Sequence, residues 1–182
     1  MTVLDVIAIS KRFGGVRAVN DVSFQVSAGE MLALIGPNGA GKSTCFNMLN
    51  GQIQPDTGRI TLNGHNITGL SPRRVWRMGV GRTFQITATF ASMTVRENVQ
   101  VALLAHHRKL WRFIRPAATW FAGEADTLLA QVGMHDQSFR AAGVLAYGDL
   151  KRLELAVALA NAPTLLLMDE PTAGMAPTNA SP

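Results

Sequence analysis

Apolar and polar positions fall into distinct textures along this chain. Residues 4–10 are rich in β-formers, and in "NDVSFQVSAGE" the apolar Val22, Phe24 and Val26 alternate with Asp21, Ser23 and Gln25. A period of two sends successive side chains to opposite faces, so this stretch predicts a half-buried strand. "GRITLNG" at 58–64 alternates in the same way between turn residues. "MLALI" at 31–35 and "LLLM" at 165–168 are continuously apolar, which suits strands covered on both faces, as in a parallel sheet. After Ile35 comes a glycine-rich turn, and 42–50 then reads as helix.

The texture becomes helical between residues 94 and about 143, in "TVRENVQVALLAHHRKL" and "GEADTLLAQVGM". Thr94 followed by Glu97 resembles a capping box. A helix after Gly148 puts Leu150, Leu153, Val157 and Ala160 on one face, with Lys151, Arg152 and Glu154 away from it. Asn161 and Pro163 supply its stop signals. The expectation is one α/β domain over 1–182, with a strand–helix core at 1–85 and 145–182 and a helical insertion at 86–144.

Composition narrows the partners. With 182 residues and 47% apolar content the chain can build a core, so wholesale disorder is not expected. A net charge of +5 and a pI near 10.1 suit nucleotides, nucleic acid or an anionic membrane surface, or a basic solvated face. Cys45 is the only cysteine, which excludes a disulfide framework and a thiol metal cluster and fits a reducing compartment. The start, "MTVLDVIAISKRFGG", lacks the pattern of a signal peptide. The apolar run at 153–168 is broken by Glu154, Asn161 and Pro163 and falls short of the roughly 20 residues of a membrane span. A chain soluble by itself is expected, reaching a membrane through a partner.

"GPNGAGKST" at 36–44 fits G-x-x-x-x-G-K-[ST], between an apolar run and a helix. Phosphate is a bulky anion, and backbone must approach it without side chains in the way. Gly36, Pro37, Asn38, Gly39, Ala40 and Gly41 form that loop, with Gly39 and Gly41 permitting inward-facing N–H groups. The helix opening at Lys42, Ser43 and Thr44 adds its positive end. Lys42 can reach β- and γ-phosphates, and Ser43 can offer a hydroxyl to Mg²⁺. At the end of the second apolar run stand Asp169 and Glu170. Adjacent on a strand, they leave opposite faces, so Asp169 can hold the metal while Glu170 polarises water.

These pieces, in this order, resemble an ATP-binding-cassette ATPase, the engine of the ABC transporters. "GPNGAGKST" is similar to its Walker A motif, "LLLMDE" to its Walker B, and "LAYGDLKRLELAVALANAP" to its signature, usually LSGGQ, with the following helix. The resemblance implies a P-loop NTPase (RecA-like) core with a mixed sheet, an N-terminal antiparallel β-subdomain and an inserted helical subdomain that ends in the signature. It implies ATP and Mg²⁺ as ligands, with Gln85, ending "VGRTFQ", as a catalytic and metal-sensing glutamine. Phe13 would stack on adenine, beside Val16 and Ala18. Leu145, Ala146, Tyr147, Gly148 and Asp149 would cover the nucleotide held by a second ABC ATPase subunit. "KRFGGVRAVNDVSF", "GRTFQ…MTVRENV" and "LAYGDLKRLELA" look most like the ATPases of branched-chain amino acid importers, with lipopolysaccharide-export ATPases as near relatives. Transmembrane permease subunits and, indirectly, a periplasmic solute-binding protein are the partners implied, with no nucleic acid, at the cytoplasmic face of the inner membrane.

There are departures from the pattern. Ala146 stands for the signature serine, Tyr147 for a glycine and Asp149 for a glutamine. The family's switch histidine follows Walker B, whereas His65, His106, His107 and His135 all precede it. The expectation is therefore a chain truncated after Walker B, which leaves open a module that binds ATP without efficient turnover. A repair or translation ATPase of the family would carry a long coiled coil or a second cassette, and neither is present.

From Pro72 to Gly123 the charges are Arg73, Arg74, Arg77, Arg82, Arg96, Arg108, Lys109, Arg112 and Arg115 against Glu97, with Trp111, Phe113, Trp120 and Phe121 interleaved. Docking on a membrane subunit, contact with anionic headgroups, nucleic-acid binding and plain core aromatics with a solvated face all fit. Docking is favoured through the resemblance. His106 and His107 are expected on a solvated helix face.

Overall fold

A computed structural model of the chain describes residues 1–83, 89–107 and 120–168. Two compact units divide it, Met1–Val80 and Gly81–Pro182.

In the first unit, strands β1 (Thr2–Phe13) and β2 (Val16–Ser27) form a long antiparallel hairpin. Strand β3 (Thr57–Leu62) pairs with the other edge of β1, and the short β4 (His65–Asn66) with β3, giving the order β2-β1-β3-β4. Helix α1 (Lys42–Leu49) and the short α2 (Pro72–Arg77) complete the unit. Its buried apolar side chains include Leu4, Val6, Ile9, Val19, Val26, Ile60 and Leu62 from the sheet and Cys45, Met48 and Leu49 from α1.

The alternation along β1 changes phase. Leu4 and Val6 point inward, Ile7 is 49% exposed, and the next inward residue is Ile9. The extra residue is absorbed at Ala8, which has φ 51°, within an irregularity of the ladders to both β2 and β3. A bulge leaves backbone groups without ladder partners. Here hydroxyls take them: Ala8 N–H donates to Ser23 Oγ at 2.7 Å, and Asp21 N–H to Ser10 Oγ at 2.9 Å. Gly58, with φ +90°, lies so close that a Cβ there would be 2.5 Å from the carbonyl oxygens of Ile7 and Ala8, so glycine is required on the neighbouring strand.

Residues 31–35, expected as a covered strand, have no strand assignment, and Met31 and Ile35 are 88% and 94% exposed. A strand is defined by its ladder, and among the described residues no neighbour offers one to this run. Continuous hydrophobicity signals two coverable faces; it does not supply the partners.

The second unit contains α3 (Val95–His106), α4 (Ala122–Gln131) and α5 (Tyr147–Leu159). Their shared core includes Val95, Val99, Leu103, Ala125, Leu129, Met134, Leu153 and Ala156. Strands β5 (Val80–Arg82) and β6 (Leu165–Leu167) pair in a small two-stranded sheet, and Thr83 N–H donates to Leu167 O at 3.0 Å. The capping box read from Thr94 and Glu97 is present. Thr94 Oγ1 accepts from Glu97 N–H, and Glu97 Oε2 accepts from Thr94 N–H at 2.8 Å. Arg96 reaches from α3 to α4 with two bonds to Asp126, at 2.8 and 2.6 Å. Buried Asn98 closes the loop ahead of α3 by accepting from Phe90 N–H and donating to Phe90 O and Thr94 O. Buried Gln100 donates to Trp120 O at 2.7 Å. Among the described residues, no helix is long and apolar enough to cross a membrane.

Bonds from the Thr94 N–H and hydroxyl hold the Glu97 carboxyl below its ordinary value of 4.5. A folded value that is depressed contributes stability above the unfolded pKa and loses it as the pH falls through the folded one. The gap in urea midpoint between the parent and Glu97→Gln should therefore narrow steadily as the pH is lowered from 6 through 4.5 towards 3.

Candidate functional site

The loop at 36–41 is shaped by two glycines in left-handed conformation, Gly39 at φ 82° and Gly41 at φ 86°. L side chains rarely adopt such values. At Gly41 there is a second reason: a Cβ would lie 2.1 Å from the carbonyl oxygen of Ala18 on β2. The loop is pressed backbone-to-backbone against the hairpin, and any side chain at 41 would wedge them apart. Gly41 is also the N-cap of α1, so no side chain caps that helix, and its first turn holds no acidic residue. The leading N–H groups and the positive helix end are thus left to an external anion.

Lys42 folds back over the loop. Its ammonium donates to Gly36 O at 2.7 Å and to Pro37 O at 2.9 Å. These partners are neutral carbonyls, so its charge is not cancelled where it sits. Bonds between an ammonium and phosphate oxygens are charge-assisted and roughly twice as strong as neutral ones, so an arriving phosphate would outcompete the carbonyls. Ser43 is exposed and Thr44 half-buried at the helix opening. Cys45, one turn into α1, is buried, and burial pushes its thiol up to about 11. It stays protonated and is neither a nucleophile nor a metal ligand beside the loop.

The hairpin brings its own candidates to the same unit. Phe13 lies opposite Val16 in the β1–β2 register, next to the turn at Gly14 and Gly15, and both side chains are open, at 48% and 68% exposure. Ala18 is half-buried and supplies the carbonyl that Gly41 touches. Phe13, Val16 and Ala18 thus stand on the hairpin against which the loop is seated. A mononucleotide fits this set chemically: an open aromatic and small apolar residues on the hairpin, and an uncapped helix start and a cation at the loop. Of the three residues read as metal holders, Ser43 is in place at the loop, while Gln85 and Asp169 lie outside the described residues, as does Glu170.

In the second unit, Ala146 is the N-cap of α5, with no side-chain cap. Leu145 is anchored in the helical core. Gly148 lies in the first turn, Tyr147 is half-exposed, and Lys151 Nζ lies 5.5 Å from its ring centroid. Asp149 is 3.7 Å from Arg152, which offsets its charge at the helix start. Lys151 is instead turned to Glu154, at 2.9 Å. This corrects the expectation that Glu154 faces away from the core: it is 5% exposed. The helical pattern of apolar residues marks one face, but α5 is covered more broadly than that stripe. A carboxylate can be buried there because the ammonium of the preceding turn neutralises it. Among the described residues Glu154 Oε1 has no hydrogen-bond partner. His106 and His107 are both exposed, as expected, yet each has a contact. His106 Nδ1 is 2.9 Å from Asn161 Oδ1, and His107 stacks on Phe121 at 4.5 Å. Of the basic insertion, residues 108–119 lie outside the described residues, and Arg96 is committed to Asp126.

The ABC transporter family profile matches residues 19–173. The high-affinity branched-chain amino acid transport ATP-binding protein LivG of Salmonella typhimurium is 41% identical over 184 residues, 96% of this chain and 71% of that protein. BraF of Pseudomonas aeruginosa, of the same description, is 41% identical over 185 residues, with the same coverage of 96% and 71%. Among solved structures, a nucleotide-free ATP-binding cassette from an ABC transporter superposes with TM-score 0.83 at 32% identity, covering 97% of this chain and 72% of that one. The ADP conformation of MJ1267, also an ATP-binding cassette of an ABC transporter, gives TM-score 0.83 at 33% identity with the same coverage.

A serine at position 146 would cap α5, supplying an acceptor for one of its first N–H groups. Ala146→Ser should stabilise the chain by about 1 kcal/mol, read as a higher urea midpoint with an unchanged slope.

Proposed function

We propose, for a chain that belongs to the ABC transporter family, that it is the ATP-binding and ATP-hydrolysing subunit of a membrane importer of branched-chain amino acids or similar small polar solutes. The observation that carries this reading is the loop at 36–44, seated on Ala18 through Gly41 with the Lys42 ammonium over its carbonyls. The solute class rests on the names of the similar transport proteins.

In this reading the amides of 36–41 and the opening of α1 receive the phosphates, and Lys42 moves from Gly36 O and Pro37 O onto the β- and γ-oxygens. Phe13 provides the face for the base, flanked by Val16 and Ala18. Ser43, Gln85 and Asp169 would hold Mg²⁺, which supplies charge neutralisation at the phosphate oxygens when bound. Glu170 takes a proton from the attacking water. The segment 145–149 covers the phosphates held by a second ABC ATPase subunit, with the N-terminal end of α5 directed to them. Arg152 keeps Asp149 from opposing that approach. Closure of two subunits around ATP and their release after hydrolysis would be passed through Gln85 and the helical unit to permease subunits, and a periplasmic solute-binding protein would act on the other side. The subunit would work at the cytoplasmic face of the membrane.

Lys42→Ala should weaken Mg·ATP binding at least about tenfold, since a charge-assisted contact of this kind is worth roughly 1.5–3 kcal/mol; titration calorimetry reads it directly. Glu170→Gln should leave that binding intact and lower phosphate release about 10²–10⁴-fold. Turnover near the parent rate in Glu170→Gln would remove the assigned base, and equal binding in Lys42→Ala would remove the assigned cradle.

A further inference from the structure

The hairpin carries a feature that phosphate binding does not use. Lys11 stands two residues before Phe13 on β1, so both side chains share a face of the strand. Its ammonium is not free to swing. It donates to Asp56 Oδ1 at 2.7 Å, and its side chain is only 18% exposed. Asp56 is itself fixed. Its Oδ2 accepts from Arg12 N–H at 2.8 Å, and its own N–H donates to Ser10 O at 2.8 Å. The two bonds to its carboxylate hold that carboxyl below its ordinary range, with the Lys11 contact as the larger cause. So anchored, the Lys11 ammonium lies 5.8 Å from the Phe13 ring centroid, within the range of a cation–π contact.

We propose that Lys11, held by Asp56, is a positioning residue for nucleobase recognition: it fixes the Phe13 ring against one face so that a purine base stacks on a ring already in place. The proposal rests on the reading of Phe13 as the base platform. Phe13 ends its strand beside a Gly14–Gly15 turn and is 48% exposed, so little packing restrains its rotamers. A ring ordered only on binding costs affinity; one ordered beforehand does not. The cation also draws ring electron density towards its own side, which lessens repulsion between the opposite face and a purine's π cloud. Had Lys11 served the phosphates, its ammonium would be open to solvent rather than locked to a carboxylate. As placed, it acts on the base end alone.

The test compares Mg·ATP with magnesium tripolyphosphate, which lacks base and sugar, by titration calorimetry on the full chain. Lys11→Met keeps the apolar stem and removes the charge. Asp56→Asn keeps an acceptor for Arg12 N–H while loosening the ammonium. Each should weaken ATP about three- to tenfold, the loss expected for one side chain left to be ordered on binding, and leave tripolyphosphate unchanged. Lys11→Arg, which retains the cation over the ring, should restore ATP affinity. Phe13→Ala should weaken ATP at least as much as Lys11→Met. If Phe13→Ala weakens ATP while Lys11→Met and Asp56→Asn do not, the positioning role is overturned and the base platform stands. If Phe13→Ala has no effect, the platform reading falls and takes this proposal with it. Equal losses for ATP and tripolyphosphate in Lys11→Met would also overturn the proposal, because they would show a general electrostatic or folding effect.

Discussion

At Gly41 two stretches of backbone meet with no side chain between them, because even a methyl group there would run into the Ala18 carbonyl. This contact joins three things that must be in register: the hairpin with its exposed aromatic end, the glycine-turned loop and the start of α1. The same residue supplies the positive φ that turns the chain into the helix. Glycine satisfies both demands, since it alone lacks the Cβ and adopts left-handed backbone freely. The helix is consequently left without a side-chain cap, and an uncapped N-terminal end is an arrangement that suits an anion. Local instability and binding chemistry are here one feature.

The helical unit solves a different problem, that of holding the irregular connections between its helices. It does so with polar side chains buried at the loop junctions. Asn98 bonds three backbone groups around the entry to α3, Gln100 secures Trp120, and Asn161, beyond the end of α5, meets His106. A buried amide left unpaired costs about 1–3 kcal/mol, so each of these side chains penalises any arrangement of the loops except the one that satisfies it. The apolar cluster supplies the attraction among α3, α4 and α5, and the polar set fixes their connections.

What the sequence discloses depends on whether its signal is local. The capping box is legible because its two bonds join residues three apart. The glycine turn before α1 is legible because its left-handed positions, Gly39 and Gly41, restrict residue type locally. The alternation of Val22, Phe24 and Val26 marks a strand in β2. In β1 the same rule fails at Ala8, where a bulge moves the inward phase from Val6 to Ile9; nothing at Ala8 announces it, and the clues lie at Ser10 further along β1 and at Ser23 and Gly58 on its neighbours. The run at 31–35 misleads for a related reason, since hydrophobicity records an ability to be covered and not the presence of a ladder. Glu154 misleads because a single helical wheel cannot show how many neighbours surround α5. The pair Arg96–Asp126 spans thirty residues, and spacing alone gives no reason to join them.

Charge is the property whose meaning the structure changes most. A net +5 suggests a chain seeking acidic partners. Yet Lys11 is engaged by Asp56, Arg96 by Asp126, Lys151 by Glu154 and Arg152 by Asp149. These cations are matched within the fold and add little to any long-range field. Lys42 differs, resting on carbonyl dipoles in a loop with no acidic residue in the helix turn that follows. An anion approaching the first unit therefore meets a local uncompensated charge at the loop, backed by the end of α1. Site selectivity of this kind is what separates a nucleotide pocket from a polyanion-binding face: the former concentrates one cation where several amides converge, and the latter spreads many along a groove. Lys42 is in that respect unlike the ammoniums of Lys11 and Lys151, each of which a carboxylate already holds.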